Sequence, residues 1–223
     1  MVSRSLVLLI GLGSLGQLGA QPLDTLNARL RALPVDSLVA RELVETDPRA
    51  KFVVIAKLTR EYLYLSRPED CMRAAIRGLE VAEPTKNDTL IGRAHFGIGA
   101  AFTALSDVNG ALKHFNIALE RFQQTGDSLR MGMVCKETAI VYQRAGDTEG
   151  ALRYMRKAQG YGLSEGIYGR SMSILAKCHM DRGDLDSALY YARKADVLKA
   201  PGTDPYGYCS YQFTLATVHA ARG

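Results

Sequence analysis

The stretch "CKETAIVYQRAGDTEGALRYMRKAQGY" (135–161) decides how the rest of the chain is read. Cys135, Thr138, Ala139 and Tyr142 stand at i, i+3, i+4 and i+7, one stripe along a helix. Gly146-Asp147 then interrupts the pattern, because glycine tolerates the left-handed backbone that ends a helix and aspartate caps the next one. Ala151 and Ala158 follow on one face of a second helix. The stretch predicts a helix hairpin whose small residues let the two helices approach closely.

The pattern recurs on both sides, at 95–122 and 172–198, with a worn copy at 55–83 and a half copy at 212–223. The bulky residue late in each first helix falls at Tyr62, Phe102, Tyr142, His179 and His219. The small residue early in each second helix falls at Cys71, Ala111, Ala151 and Ala188, and the next small contact at Gly78, Ala118, Ala158 and Ala195. Both second-helix series step by 40, 40 and 37 residues. Gly99, Ala139 and Ala176 are the small residues of the first helices, and Gly183-Asp184 repeats the turn. Such self-similarity is the mark of a helical repeat array, in which each hairpin buries its apolar face against its neighbours.

On these residues the chain resembles the tetratricopeptide repeat (TPR) family over roughly three quarters of its length. Two features depart from the family pattern. The signature Trp is replaced by His95, Cys135, Met172 and Gln212, and the period exceeds the usual length of about 34. HEAT-like repeats would share the longer period, but the Gly-Asp turn and the paired alanines favour the TPR reading. The resemblance implies an all-α, right-handed superhelical solenoid of antiparallel helix hairpins. Residues 51–223 would hold four repeats and the first helix of a fifth, an array incomplete at its C-terminal end.

Ahead of the array, 21–50 reads as two capping helices, with Asp24 and Asp36 as N-caps and Pro34 between them. Residues 1–20 contain "GLGSLG", which spells a dinucleotide-binding turn. Pro22 would break the helix that must face the pyrophosphate, and no second strand follows. Arg4, the apolar run Leu6–Leu18 and the small pair Gly19-Ala20 instead read as a secretory signal. The expected location is therefore outside the cytoplasm, periplasmic or extracellular.

The 28 Lys+Arg exceed the 23 Asp+Glu by only +5, and Trp is absent, which argues against nucleic acid as a partner. Cys71, Cys135, Cys178 and Cys209 form no C-x-x-C pair and fall in unlike repeat positions, so four free thiols and no metal site are expected. Cys178-His179 looks like a nucleophile beside a base, yet adjacent helical residues point about 100° apart. Arg182-Gly183-Asp184 spells an adhesion tripeptide but occupies the expected turn. No cofactor and no catalysis are expected of this chain.

The resemblance implies a protein- or peptide-binding module whose first helices line a concave face. Opposite the core stripe of those helices stand Arg60, Arg93, Lys136, Arg144, Arg170 and Lys177, against few acids, chiefly Glu137 and Asp181. A basic groove follows as an expectation, with an acidic segment or a free C-terminal carboxylate as its ligand. The asparagines that accompany lysines in carboxylate-binding members are replaced by Arg60, Ala100, Ile140 and Lys177. Resemblance to exported TPR regions implies the sensor or scaffold part of a bacterial signalling protein, reaching a membrane only through a C-terminal continuation. A freestanding envelope assembly scaffold, or the non-catalytic part of a longer enzyme such as a histidine kinase, is the alternative.

Overall fold

The computed structural model describes Leu30 and residues 33–162, 165–197 and 216–220; in 165–170 and 196–197 it describes the backbone alone. The described residues are helical, without a strand, and the chain divides into two compact units, 1–121 and 122–223. The expected leader, Asp24, Gln212 and Cys209 lie outside the described residues. No helix among the described residues is long and apolar enough to cross a membrane.

In the first unit, α1 (Val35–Val44) precedes α2 (Pro48–Tyr64), α3 (Pro68–Ala82) and α4 (Asp88–Ala104), and the unit boundary falls within the last turn of α5 (Val108–Thr125). A 3₁₀ turn, Glu83–Thr85, leads from α3 toward α4. Helix α1 packs on α2, α2 on α3, and α4 lies against both α2 and α3. Leu30, Leu38, Val54, Leu58, Cys71 and Ala74 form one buried cluster, and Phe52 joins Ala82, Leu90 and Ala94 in another. Each such fully buried large side chain contributes about 1.5–3 kcal/mol of transfer free energy.

The second unit contains α6 (Ser128–Arg144), α7 (Thr148–Gly160), α8 (Glu165–Asp181) and α9 (Leu185–Val197). Helix α6 pairs with α7 and α8 with α9, while α8 also lies against α6 and α7. Ala139, Ala151, Met155, Met172, Leu175 and Ala195 share one core, and Val218 reaches Ala188 and Leu189.

Six helix starts repeat the period of 40 or 37 residues in their cap hydrogen bonds. The first helices begin at Asp47, Asn87 and Asp127, whose side chains accept from the N–H groups of Ala50 (2.8 Å), Leu90 (3.1 Å) and Arg130 (2.9 Å). The second helices begin at Asp107, Asp147 and Asp184, which accept from Gly110 (2.9 Å), Gly150 (2.8 Å) and Ser187 (3.1 Å). Each cap satisfies an N–H that has no partner within its helix. Arg67 stands where the first repeat would need the aspartate. There Pro68 opens α3 without a cap bond, and Arg67 Nε donates to Asp70 instead (2.6 Å).

The expected turns form, with Gly146 at φ 80° and Gly183 at φ 76°. Ser66 (φ 54°) and Ser106 (φ 62°) adopt the same backbone in the first two hairpins without being glycine. The small residues Ala111, Ala118, Ala151, Ala158, Ala188 and Ala195 are all buried. Helix α2 starts at Pro48, with Asp47 as its cap. Asp36 is not a cap: α1 opens at Val35 after Pro34, which makes no side-chain cap bond, and Asp36 sits within the first turn.

Candidate functional site: the inner face of the first helices

The register of each hairpin is set by a ring. Phe102 on α4 stacks on His114 of α5 (centroids 5.5 Å), Tyr142 on Tyr154 (5.3 Å) and His179 on Tyr191 (5.2 Å). The first two rings also press on a glycine: a Cβ at Gly110 would lie 2.7 Å from Phe102, and one at Gly150 would lie 2.8 Å from Tyr142. Those glycines are the residues whose N–H groups the aspartate caps receive. In the uncapped first hairpin the Arg67 guanidinium covers Tyr62 instead, 5.0 Å from its centroid.

In the first unit, Arg60 is exposed on α2. Arg93 on α4 is half-buried, its guanidinium 5.1 Å from the centroid of the Phe52 ring, so part of its charge is spent on a cation–π contact. A Cβ on Gly97 would come within 3.5 Å of Thr59 and 3.7 Å of Ala75, which shows how closely α4 lies against α2 and α3 here.

In the second unit the predicted residues separate. Arg144 and Lys177 are exposed, on α6 and α8. Lys136 is buried at 5% exposure and its Nζ lies 2.6 Å from Glu137 Oε1, so it presents no free charge. The side chain of Arg170 lies outside the described residues. The ends of α6 and α8 are joined where Gln143 Nε2 donates to Asp181 Oδ2 (3.2 Å). Ser173, buried and with no hydrogen-bond partner for its Oγ, holds on α8 the position that Lys136 holds on α6, 37 residues earlier. Gln143 and Ser173 are absent from the sequence-based set. Both are polar but uncharged, and the sequence-based set holds only cations.

Cys178 is buried, and burial, aided by Asp181, pushes its thiol up to about 11. His179 Nδ1 lies 3.2 Å from Asp184 Oδ2, and His219 is exposed. Asp184 accepts from Ser187, which with the His179 contact holds its carboxyl below the ordinary value. Arg182 pairs with Glu149 (3.2 Å) beside the turn. No group of three or more His, Cys, Asp or Glu assembles a cation site among the described residues.

No protein-family profile matches the sequence, and no curated protein matches it. Solved structures do. BtubC (BKLC) from P. vanneervenii aligns at TM-score 0.58 and 17% identity, covering 76% of this chain and 72% of that one. The apo form of RapI aligns at 0.61 and 16%, covering 78% and 67%. A putative kinesin light chain of Podosopora anserina with nearly identical TPR-like repeats aligns at 0.57 and 16%, covering 76% and 85%. Ring-registered, aspartate-capped hairpins and this likeness together make the fold an all-α array of TPR-like helix hairpins.

Proposed function

We propose that the chain is a non-catalytic recognition module that holds a segment of another protein against the inner face of its first helices. The observation that carries this reading is the division of labour within each first helix. In the second unit its ring stripe is consumed by the hairpin, while Arg144 on α6 and Lys177 on α8 stand exposed. Exposed guanidinium and ammonium groups on packed helices favour carboxylates, so the ligand is an acidic segment or a free C-terminal carboxylate. Lys136 is left out of the ligand set because Glu137 already neutralises it.

The probe is a fluorescent octaglutamate peptide with a free C-terminus, read by anisotropy at low salt and compared with its C-terminal amide. Binding should weaken at least about tenfold in Arg144→Glu/Lys177→Glu, with helicity unchanged, and should weaken with added salt. Absence of binding by the parent chain, or an unaltered affinity in the double variant, removes the groove as the site. Export belongs to the same reading: residues 1–20 act as a leader, and the mature chain recovered from a bacterial periplasm starts near Gln21. An intact chain starting at Met1 in the cytosol rejects it.

A further inference from the structure

The α4–α5 hairpin carries two imidazoles that peptide binding does not use. His95 on α4 and His114 on α5 are half-buried, with their Nδ1 atoms 3.0 Å apart and their ring centroids 5.1 Å apart. At that separation one Nδ1 must carry the proton and the other must offer its lone pair, so the two neutral rings are opposite tautomers. The charges acting on the pair are cations on α5: Arg121 on His95 and Lys113 on His114. Asp88 on α4 is already engaged by Arg121 (2.7 Å), and among the described residues no charged group of α2 or α3 shifts either ring.

Protons can be added to this arrangement in only one order. The first enters at Nε2 of the donor ring and leaves the Nδ1–Nδ1 bond intact. The second must take the acceptor Nδ1, which removes the lone pair that made the bond and sets two imidazolium ions side by side. We propose that His95 and His114 form an acid-sensitive latch of the α4–α5 hairpin, closed while the pair shares one Nδ1 proton and opened when both rings are protonated. Burial, then the His114 neighbour and Arg121, push His95 down to about 4, and burial with Lys113 holds His114 below the ordinary histidine value. Unfolded histidines take up protons near about pH 6.5. The closed hairpin is therefore fully favoured above that value and loses its advantage as the pH falls toward about 4. Holding His95 alone neutral raises the unfolding constant roughly twentyfold between about pH 7 and about pH 5.

The test combines histidine Cε1–H NMR titration of the full chain with amide hydrogen exchange at about pH 7 and about pH 5. Both rings, assigned through His95→Gln and His114→Gln, should titrate clearly below about pH 6.5. Protection in α4 and α5 should fall before that in α2 and α3, and His95→Gln should lose the roughly twentyfold pH sensitivity of the unfolding constant. Ordinary titration of both rings near about pH 6.5, uniform loss of protection, or an unchanged pH slope in His95→Gln overturns the latch. Should His95→Gln fail to fold, the titration and exchange of the unaltered chain decide alone.

Discussion

A β-carbon placed on Gly99 would lie 2.6 Å from two ring atoms of Phe115, a fully buried side chain. At Gly78 the same addition meets Ile55 at 3.4 Å and Phe52 at 3.8 Å, both ordinary contacts. Helix propensity favours alanine over glycine by about 1 kcal/mol at both sites, whereas overpacking a core costs about 1–3 kcal/mol. Gly99→Ala should therefore lower the urea-unfolding free energy by about 1–2 kcal/mol, while Gly78→Ala should leave it unchanged or raise it by up to about 1 kcal/mol. A stabilised Gly99→Ala would mean that the Phe115 ring can move aside. The role of Gly99 was legible in the sequence because its equivalents are Ala139 and Ala176. The glycines under the rings, Gly110 and Gly150, follow the same 40-residue spacing but escaped notice, since a glycine near a helix start has no apolar stripe to mark it.

Among the elements, α1 is attached to the array differently from the rest. It buries Leu38, Arg41 and Glu42, while Leu43 and Val44 remain exposed. Glu42 receives a two-pronged ion pair from Arg77 on α3, with Nε donating to Oε1 (2.7 Å) and Nη2 to Oε2 (3.0 Å). That bond to Glu42 holds the Arg77 guanidinium above its ordinary value. Arg41 pairs within the helix to Glu45 (2.6 Å). A double-mutant cycle of Glu42→Gln and Arg77→Met should give a coupling of about 1 kcal/mol, since the pair is bidentate but Arg77 is partly in water. A coupling near zero would leave α1 held by Leu38 and its neighbours alone. The amphipathic pattern of the sequence predicted a helix here. It could not reveal the tie to α3, because residues 42 and 77 are 35 apart and share no repeat position.

At the scale of the molecule, the thiols separate the two units experimentally. Cys71 lies in the first unit, and Cys135 and Cys178 in the second; all three are free and buried. Burial pushes Cys71 up to about 12 and Cys178 up to about 11, and raises Cys135 as well. A neutral buried thiol does not attack a disulfide reagent until its surroundings open. At about pH 8 no more than one of the four cysteines should react with Ellman's reagent in the native chain, and all four should react in denaturant. Two or more fast thiols in the native state would show that a unit opens readily. Labelling Cys71 and Cys178 separately reports the opening of each unit.

The sequence by itself determined the repeat, the hairpin turns, the buried alanines and the all-α class, because these are local requirements of helix packing written every 40 or 37 residues. Only the tertiary structure decided which charges remain available. Lys136 and Lys177 look alike in a helical wheel, yet packing and Glu137 close one off while the other faces water. It also brought His95 against His114 across 19 residues, at a place where the following repeats carry Cys135 and Met172, so periodicity does not predict two imidazoles sharing a proton. Periodicity specifies which face a residue occupies. Its charge state and its exposure depend on what the neighbouring helix places opposite, and that is settled only once the helices have packed.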